Sequence, residues 1–206
     1  MNRLELEPTA IGPAATYSWL TSLIVPRPIA WVSTTSAAGV DNLAPHSFFT
    51  VSSEDPPVVQ FTSVGRKDSL RNVEETGEFV VNFATEALAD LVNATATDYP
   101  REIGEFDALG ILREPSLVVR PPRVAVSAAA LECVVEGFLS FGDQARAGTV
   151  VFGRVVHIAV DEAVAREGRA RIELLHPIAR LGGAEWGAVG EVSRRRRVPY
   201  TDLAGA

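Results

Sequence analysis

The chain has 206 residues, a formal net charge of −7, 47% hydrophobic residues and 22% charged residues, the composition of a globular protein long enough for one sizeable core. The acidic balance argues against general affinity for nucleic acid, and no apolar run nears the ~20 residues that a membrane-spanning helix needs. A single cysteine, Cys133, excludes an intrachain disulfide framework and a cysteine-built zinc site.

In chain order, MNRLELEPTA lacks the basic start and apolar stretch of a secretion signal, so a cytoplasmic protein is expected. Tyr17, Leu20, Leu23 and Ile24 recur at helical spacing until Pro26 and Pro28 stop the pattern. This predicts a short helix over residues 16–25 that lays one apolar face on the body. Residues 29–35 read as a strand of bulky and β-branched side chains, 36–39 as a turn, and 42–51 as the returning strand. Pro45 cannot donate a ladder hydrogen bond, so a bulge or an edge is expected there.

Residues 58–64 give a third strand, 68–75 a short helix closed by Gly77, 79–84 a fourth strand interrupted only by Asn82, and 86–94 another helix. Pro100 and Gly104 break residues 95–112. Strand material returns at 124–141, broken or lengthened around Ala128 to Ala130, and again at 149–160 after a turn over 142–148. Residues 172–191 read as mostly irregular. The tail from about residue 192 contains four arginines at 194–197, read first as a solvated segment and second as a phosphate-binding patch. Six or so strands with hairpin-length connections predict an antiparallel barrel with helical decoration, in a single domain over residues 1–206.

Several polar residues break these patterns. In SVGRKDSLRN a strand runs through Gly65 into a helix, with Arg66 and Lys67 as adjacent cations and Ser69 near the helix start. Free N–H groups and two cations suit a phosphate monoester, while simple helix capping with solvated cations explains the same residues. Ser33, Thr34 and Thr35 end one strand in three hydroxyls, either for ligand contact or as an ordinary strand exit. Asn42, His46 and Ser47 flank Pro45 and either address a heteroaromatic ring or form a satisfied bulge. His176, four positions before Arg180, is an acid–base candidate or a packed loop histidine. Scattered histidines argue against a metal site, and no G-x-S-x-G elbow or dinucleotide fingerprint is present.

The succession RPIAWVST, G-x-x-NLAPHSFF, DPPVVQF, GRKDSLRN and TGEFVVNF resembles the flavin reductase-like family of the FMN-binding split-barrel superfamily. The resemblance is dense from Arg27 to Phe83 and looser from His176 to Trp186. It implies a mainly β fold with short helices, a six-stranded antiparallel split β-barrel of the FMN-binding type. It also implies a homodimer with FMN in a groove near the dimer interface. Ser33, Thr34 and Thr35 then match hydroxyls near the ribityl phosphate, and Asn42, Ala44, Pro45, His46, Ser47 and Phe48 match the segment under the isoalloxazine ring. Ser63, Arg66, Lys67 and Ser69 match the phosphate cradle, with Asn72 nearby. Arg180 and the candidate catalytic residue His176 match a late segment approaching from the partner or covering the nicotinamide side.

The implied activity is an NAD(P)H-dependent flavin reductase that passes hydride to flavin N5 and supplies reduced flavin to an acceptor such as a partner oxygenase. A flavin-binding electron carrier that does not react with NAD(P)H, and an FMN-dependent oxidase or oxygenase of a small organic substrate, are the alternatives. The choice between NADH and NADPH stays open.

Overall fold

The strand Ala30–Thr35 (β1) is buried at every position, and that burial on both faces sets the architecture. The computed structural model describes residues 1–203, and positions 204–206 of the expected tail lie outside the described residues. Along β1, Ala30 and Val32 face a core with Phe61, Phe79, Val81, Cys133 and Val151. Ile29 and Trp31 face a second core with Leu43, Val92, Phe106 and Val124. The period-2 alternation of a strand thus divides two hydrophobic layers rather than core from solvent.

β1 belongs to a seven-stranded antiparallel sheet with Asp41–His46 (β2), Phe49–Ser53 (β3), Val58–Val64 (β4), Glu78–Phe83 (β5), Ala129–Ser140 (β6) and Gly148–Val160 (β7). The order is β2-β1-β5-β6-β7-β4-β3. The expectation of six strands is therefore corrected to seven in an open order. The run expected as one strand over residues 42–51 is two strands, bent at Ser47 and Phe48. Pro45 sits opposite Trp31 without an N–H to give, and after the bend the chain pairs afresh, Phe49 opposite Phe61. Because β2 and β3 lie at opposite ends of the order but two residues apart in sequence, the sheet must curl.

The N-terminal helix departs from expectation in extent and in packing. It spans Pro8–Leu23 (α1), with Pro8 in its first turn and a break at Gly12, whose φ is 79°. Of its residues only Thr21 is buried, while Tyr17, Leu20 and Leu23 are 45%, 51% and 70% exposed. Its C-terminal end is held by Arg27, which donates to the carbonyls of Thr21, Ile24 and Leu181. The anchor is thus one guanidinium on helix-end carbonyls, not the expected apolar face.

Asp68–Thr76 (α2) stops at Gly77, which takes the left-handed conformation at φ 73°. Ala89–Ala94 (α3) and Glu105–Ala108 (α4) follow. Residues 172–191 are more regular than expected: after the turn Ile172–Leu175, the strands Ile178–Arg180 and Trp186–Ala188 form a small sheet with Arg27–Pro28. Far from these, Glu132 is fully buried. It accepts the N–H groups of Leu117 and Val118 at 2.9 and 2.7 Å and pairs with the buried Arg123. Burial works against its ionised form, but the Leu117 N–H, Arg123 and the Val118 N–H outweigh it and hold the carboxyl below its usual range.

Candidate functional site

The bend between β2 and β3, the end of β4 and the start of α2 enclose a cavity of about 510 Å³, within the range of small-molecule sites. Asn42, Ala44, Pro45, His46, Ser47 and Phe48 line one side, and Ser63, Arg66, Lys67 and Ser69 line another. Two stretches singled out separately in the sequence therefore share one cavity. Asn42 Nδ2 donates to Ser69 Oγ at 3.2 Å, which ties them together.

The start of α2 carries no side-chain cap, so its first N–H groups remain available, as anion recognition requires. Each nearby cation has a carboxylate partner: Arg66 with Glu74 at 2.7 Å, Lys67 with Asp98 at 2.6 Å, and Arg71 with Asp68 at 3.0 Å. The Lys67–Asp98 pair is solvent-exposed, and such pairs contribute roughly 0–1 kcal/mol, so a dianion can displace the partner.

His46 packs against Phe61 with ring centroids 4.6 Å apart and planes inclined by 47°, and its buried Nε2 has no hydrogen-bond partner. Burial pushes its imidazole down to about 4, against a backbone contact from Thr62 and helped by the positive charge of Lys67. The ring is therefore neutral near pH 7, a polar but uncharged element of the wall. An uncapped helix start with two cations and two serines suits a phosphate. A wall with an unsatisfied imidazole nitrogen suits a heteroaromatic edge. The residues present fit a flavin mononucleotide.

Other expected site residues lie elsewhere. Ser33 Oγ donates to the carbonyl of Pro122 at 2.5 Å, Thr35 Oγ1 donates to Asp41 Oδ1 at 2.7 Å, and Thr34 Oγ1 accepts from Asn72 Nδ2 at 3.0 Å. All four residues are buried and none lines the cavity. The hydroxyls and Asn72 Nδ2 are engaged within the protein. Asn82, the polar interruption of its strand, donates to the carbonyl of Trp31 and accepts from the N–H of Val124, so it is a strand cross-link.

His176 and Arg180 are likewise apart from the cavity of their own chain. His176 ends the turn Ile172–Leu175 at φ 46° and lines a separate cavity of about 200 Å³ with Glu86, Glu173 and Val192. Arg180 Nη2 donates to the carbonyl of Gly183, and its guanidinium lies 5.0 Å from the Trp186 ring. The four arginines of the tail are exposed. Cys133 belongs to the first core, where burial pushes its thiol up to about 12. Among the described residues no cluster of acids, histidine and cysteine is suited to a metal ion.

The cavity also has walls that sequence reasoning missed. Tyr17 reaches it from α1, residues 95–99 cross beside Lys67, and Glu105 borders it from α4. Glu105 accepts the N–H of Leu43 at 2.7 Å. Burial raises its carboxyl above the usual range, with Asp68 adding to that and the Leu43 N–H opposing it. The one available signal was the helical spacing of Tyr17, which marks a face but not its neighbour.

A sequence profile described as the flavin reductase like domain matches residues 20–177. The chain belongs to the flavin reductase-like family. An uncharacterized protein of Halalkalibacterium halodurans is 38% identical over 196 residues, covering 91% of this chain and 93% of that one. Nitrilotriacetate monooxygenase component B from Bacillus cereus superposes with a TM-score of 0.91 at 32% identity, covering 95% of this chain and 100% of that one. The 2-nitrobenzoate 2-nitroreductase of Pseudomonas fluorescens gives a TM-score of 0.85 at 30% identity, covering 95% and 96%. Like its family, the chain is a flavin-related oxidoreductase, mainly β with a few short helices. Among the described residues no helix is long and apolar enough to cross a membrane.

Proposed function

We propose that this flavin reductase-like protein binds FMN in the cavity and serves as an NAD(P)H-dependent flavin reductase for an acceptor such as a partner oxygenase. The observation that carries the reading is the convergence of the Asn42–Ser69 bridge, the uncapped start of α2 and the His46 wall on one cavity. When bound, FMN supplies the two-electron redox chemistry. Arg66, Lys67, Ser63 and Ser69 hold the phosphate, the strand from Asn42 to Phe48 supports the ring, and neutral His46 offers a polar atom without adding charge. The match to a monooxygenase component at 32% identity supports a role beside an oxygenase.

A homodimer belongs to this reading. The exposed Leu20 and Leu23 of α1 are those a second copy would cover, and His176 and Arg180 would reach the flavin of the partner. Sedimentation velocity tests the dimer; a monomer at micromolar concentration contradicts it. The activity is tested by anaerobic addition of NADH or NADPH to the FMN-loaded protein, following the visible flavin band. Bleaching with either nucleotide supports the reductase. Bleaching only with a reduced protein donor makes the chain an electron carrier instead.

A further inference from the structure

One corner of the cavity is built from two aromatic rings. Tyr17 on α1 and Phe48 at the bend stand with ring centroids 6.3 Å apart and planes inclined by 53°, and both line the cavity. Each ring has a guanidinium nearby. Arg146 Cζ lies 5.8 Å from the Tyr17 centroid, and Arg27 Cζ lies 6.0 Å from that of Phe48.

These two arginines differ from the cations at the start of α2. Arg66, Lys67 and Arg71 all have carboxylate partners, whereas among the described residues neither Arg27 nor Arg146 has an ion pair. Arg27 is only 7% exposed. Its hydrogen bonds go to three neutral carbonyls, and its buried Nε has no partner. Neither arginine lines the cavity itself, and Arg146 is exposed, but the chain has a net charge of −7, so two cations without ion pairs beside this corner form a local attraction for anions.

Arg146 is brought there by backbone contacts. It lies in the turn between β6 and β7, where the carbonyl of Ala147 accepts the N–H of Gly65 at 3.0 Å. A Cβ on Gly65 would stand 2.8 Å from the carbonyl oxygen of Ala145, so the turn is pressed onto the loop that leads into α2.

We infer that this corner takes an aromatic carboxylate as a second ligand beside the flavin, its ring against Tyr17 and Phe48 and its carboxylate on Arg146. The inference rests on the flavin reading of the cavity. Inclined aromatic walls favour a planar ring, and a planar guanidinium fork matches a carboxylate. Arg27, behind Phe48, adds positive potential in a poorly solvated place. The flavin phosphate is served separately, by the start of α2.

Benzoate is the probe, benzamide the uncharged control and acetate the ringless one. FMN affinity is measured first by fluorescence, then each compound is titrated into FMN-loaded protein while the flavin absorption band is followed. Benzoate should bind saturably and about tenfold or more tighter than either control, a difference equivalent to one lost charged hydrogen bond. Arg146→Gln should weaken benzoate by a similar factor and leave FMN affinity within about twofold, and Tyr17→Leu should weaken benzoate as well. Equal binding of benzoate and benzamide, or an unchanged benzoate affinity in Arg146→Gln, overturns the inference. Tighter binding of 2′-AMP than benzoate, lost in Arg146→Gln, assigns the arginine to a nucleotide phosphate and overturns it too. Failure to bind FMN sinks the flavin reading and this inference together; FMN binding without benzoate selectivity sinks this inference alone.

Discussion

Asn42 and Ser69 are joined side chain to side chain, Nδ2 to Oγ at 3.2 Å, both buried. This bond makes the proposed ring wall and the proposed phosphate end one mechanical unit. Asn42→Ala and Ser69→Ala should each weaken FMN binding, and the double variant should lose less than the sum. A coupling of about 0.5–1.5 kcal/mol is expected from a double-mutant cycle of FMN titrations. Strict additivity would mean that the two ends act independently.

Arg66→Ala with Lys67→Ala should weaken FMN by about 1.5–3 kcal/mol for each charged hydrogen bond lost, toward the lower end because both cations already have partners. Riboflavin, which has no phosphate, is the control and should bind the variant as it binds the parent. Parallel losses for both flavins would move the phosphate away from α2.

Asp98→Asn makes the opposite prediction. It frees Lys67 from its 2.6 Å partner and should tighten FMN severalfold at low salt, with the gain fading as ionic strength rises. Titrations at two salt concentrations decide this; a weaker complex would mean that Asp98 supports the site instead of competing with the phosphate.

Acid should destabilise the protein through His46. Its folded value of about 4 lies below the unfolded 6.5, so between these pH values the unfolded chain takes up a proton that the folded chain refuses. Stability is therefore full above pH 6.5, falls as pH drops toward 4, and levels off below that. At about 1.4 kcal/mol per unit the loss reaches about 3–4 kcal/mol. Urea melts of the parent and of His46→Asn across this window should differ in slope; equal slopes would remove His46 as the source.

Glu132→Ala should cost about 3–5 kcal/mol, because it removes the buried partner of Arg123, leaving it only the half-exposed Glu114, and strips acceptors from the N–H groups of Leu117 and Val118. Denaturant unfolding measures the loss, and a change under 1 kcal/mol would show that segment rearranging freely.

Legibility in the sequence followed what each residue type can do alone. The loop through Gly65 to Ser69 was readable because glycine, adjacent cations and a helix start carry chemistry locally. Pro45 was readable as an edge position because it lacks a donor wherever it sits. Ser33, Thr34 and Thr35 were harder to read, because a hydroxyl at a strand end looks the same whether it meets ligand or protein. Only the long-range partners Pro122 and Asn72 decide that. Residues 95–99 have no periodicity to mark them as a wall, and α1 was read short because its apolar spacing begins only at Tyr17.

The position of β2 and β3 at opposite ends of the sheet has a consequence for folding. The residues under the proposed ring lie across the seam where the sheet meets itself, with Ala44 to His46 on one side and Thr62 to Val64 on the other. That seam is complete only when every intervening strand, out to Val160, has taken its place. A ligand seated there resists opening of the whole sheet rather than fraying of one edge. Its bound lifetime should thus report on global unfolding, and a fragment without Gly148–Val160 should hold no flavin at all.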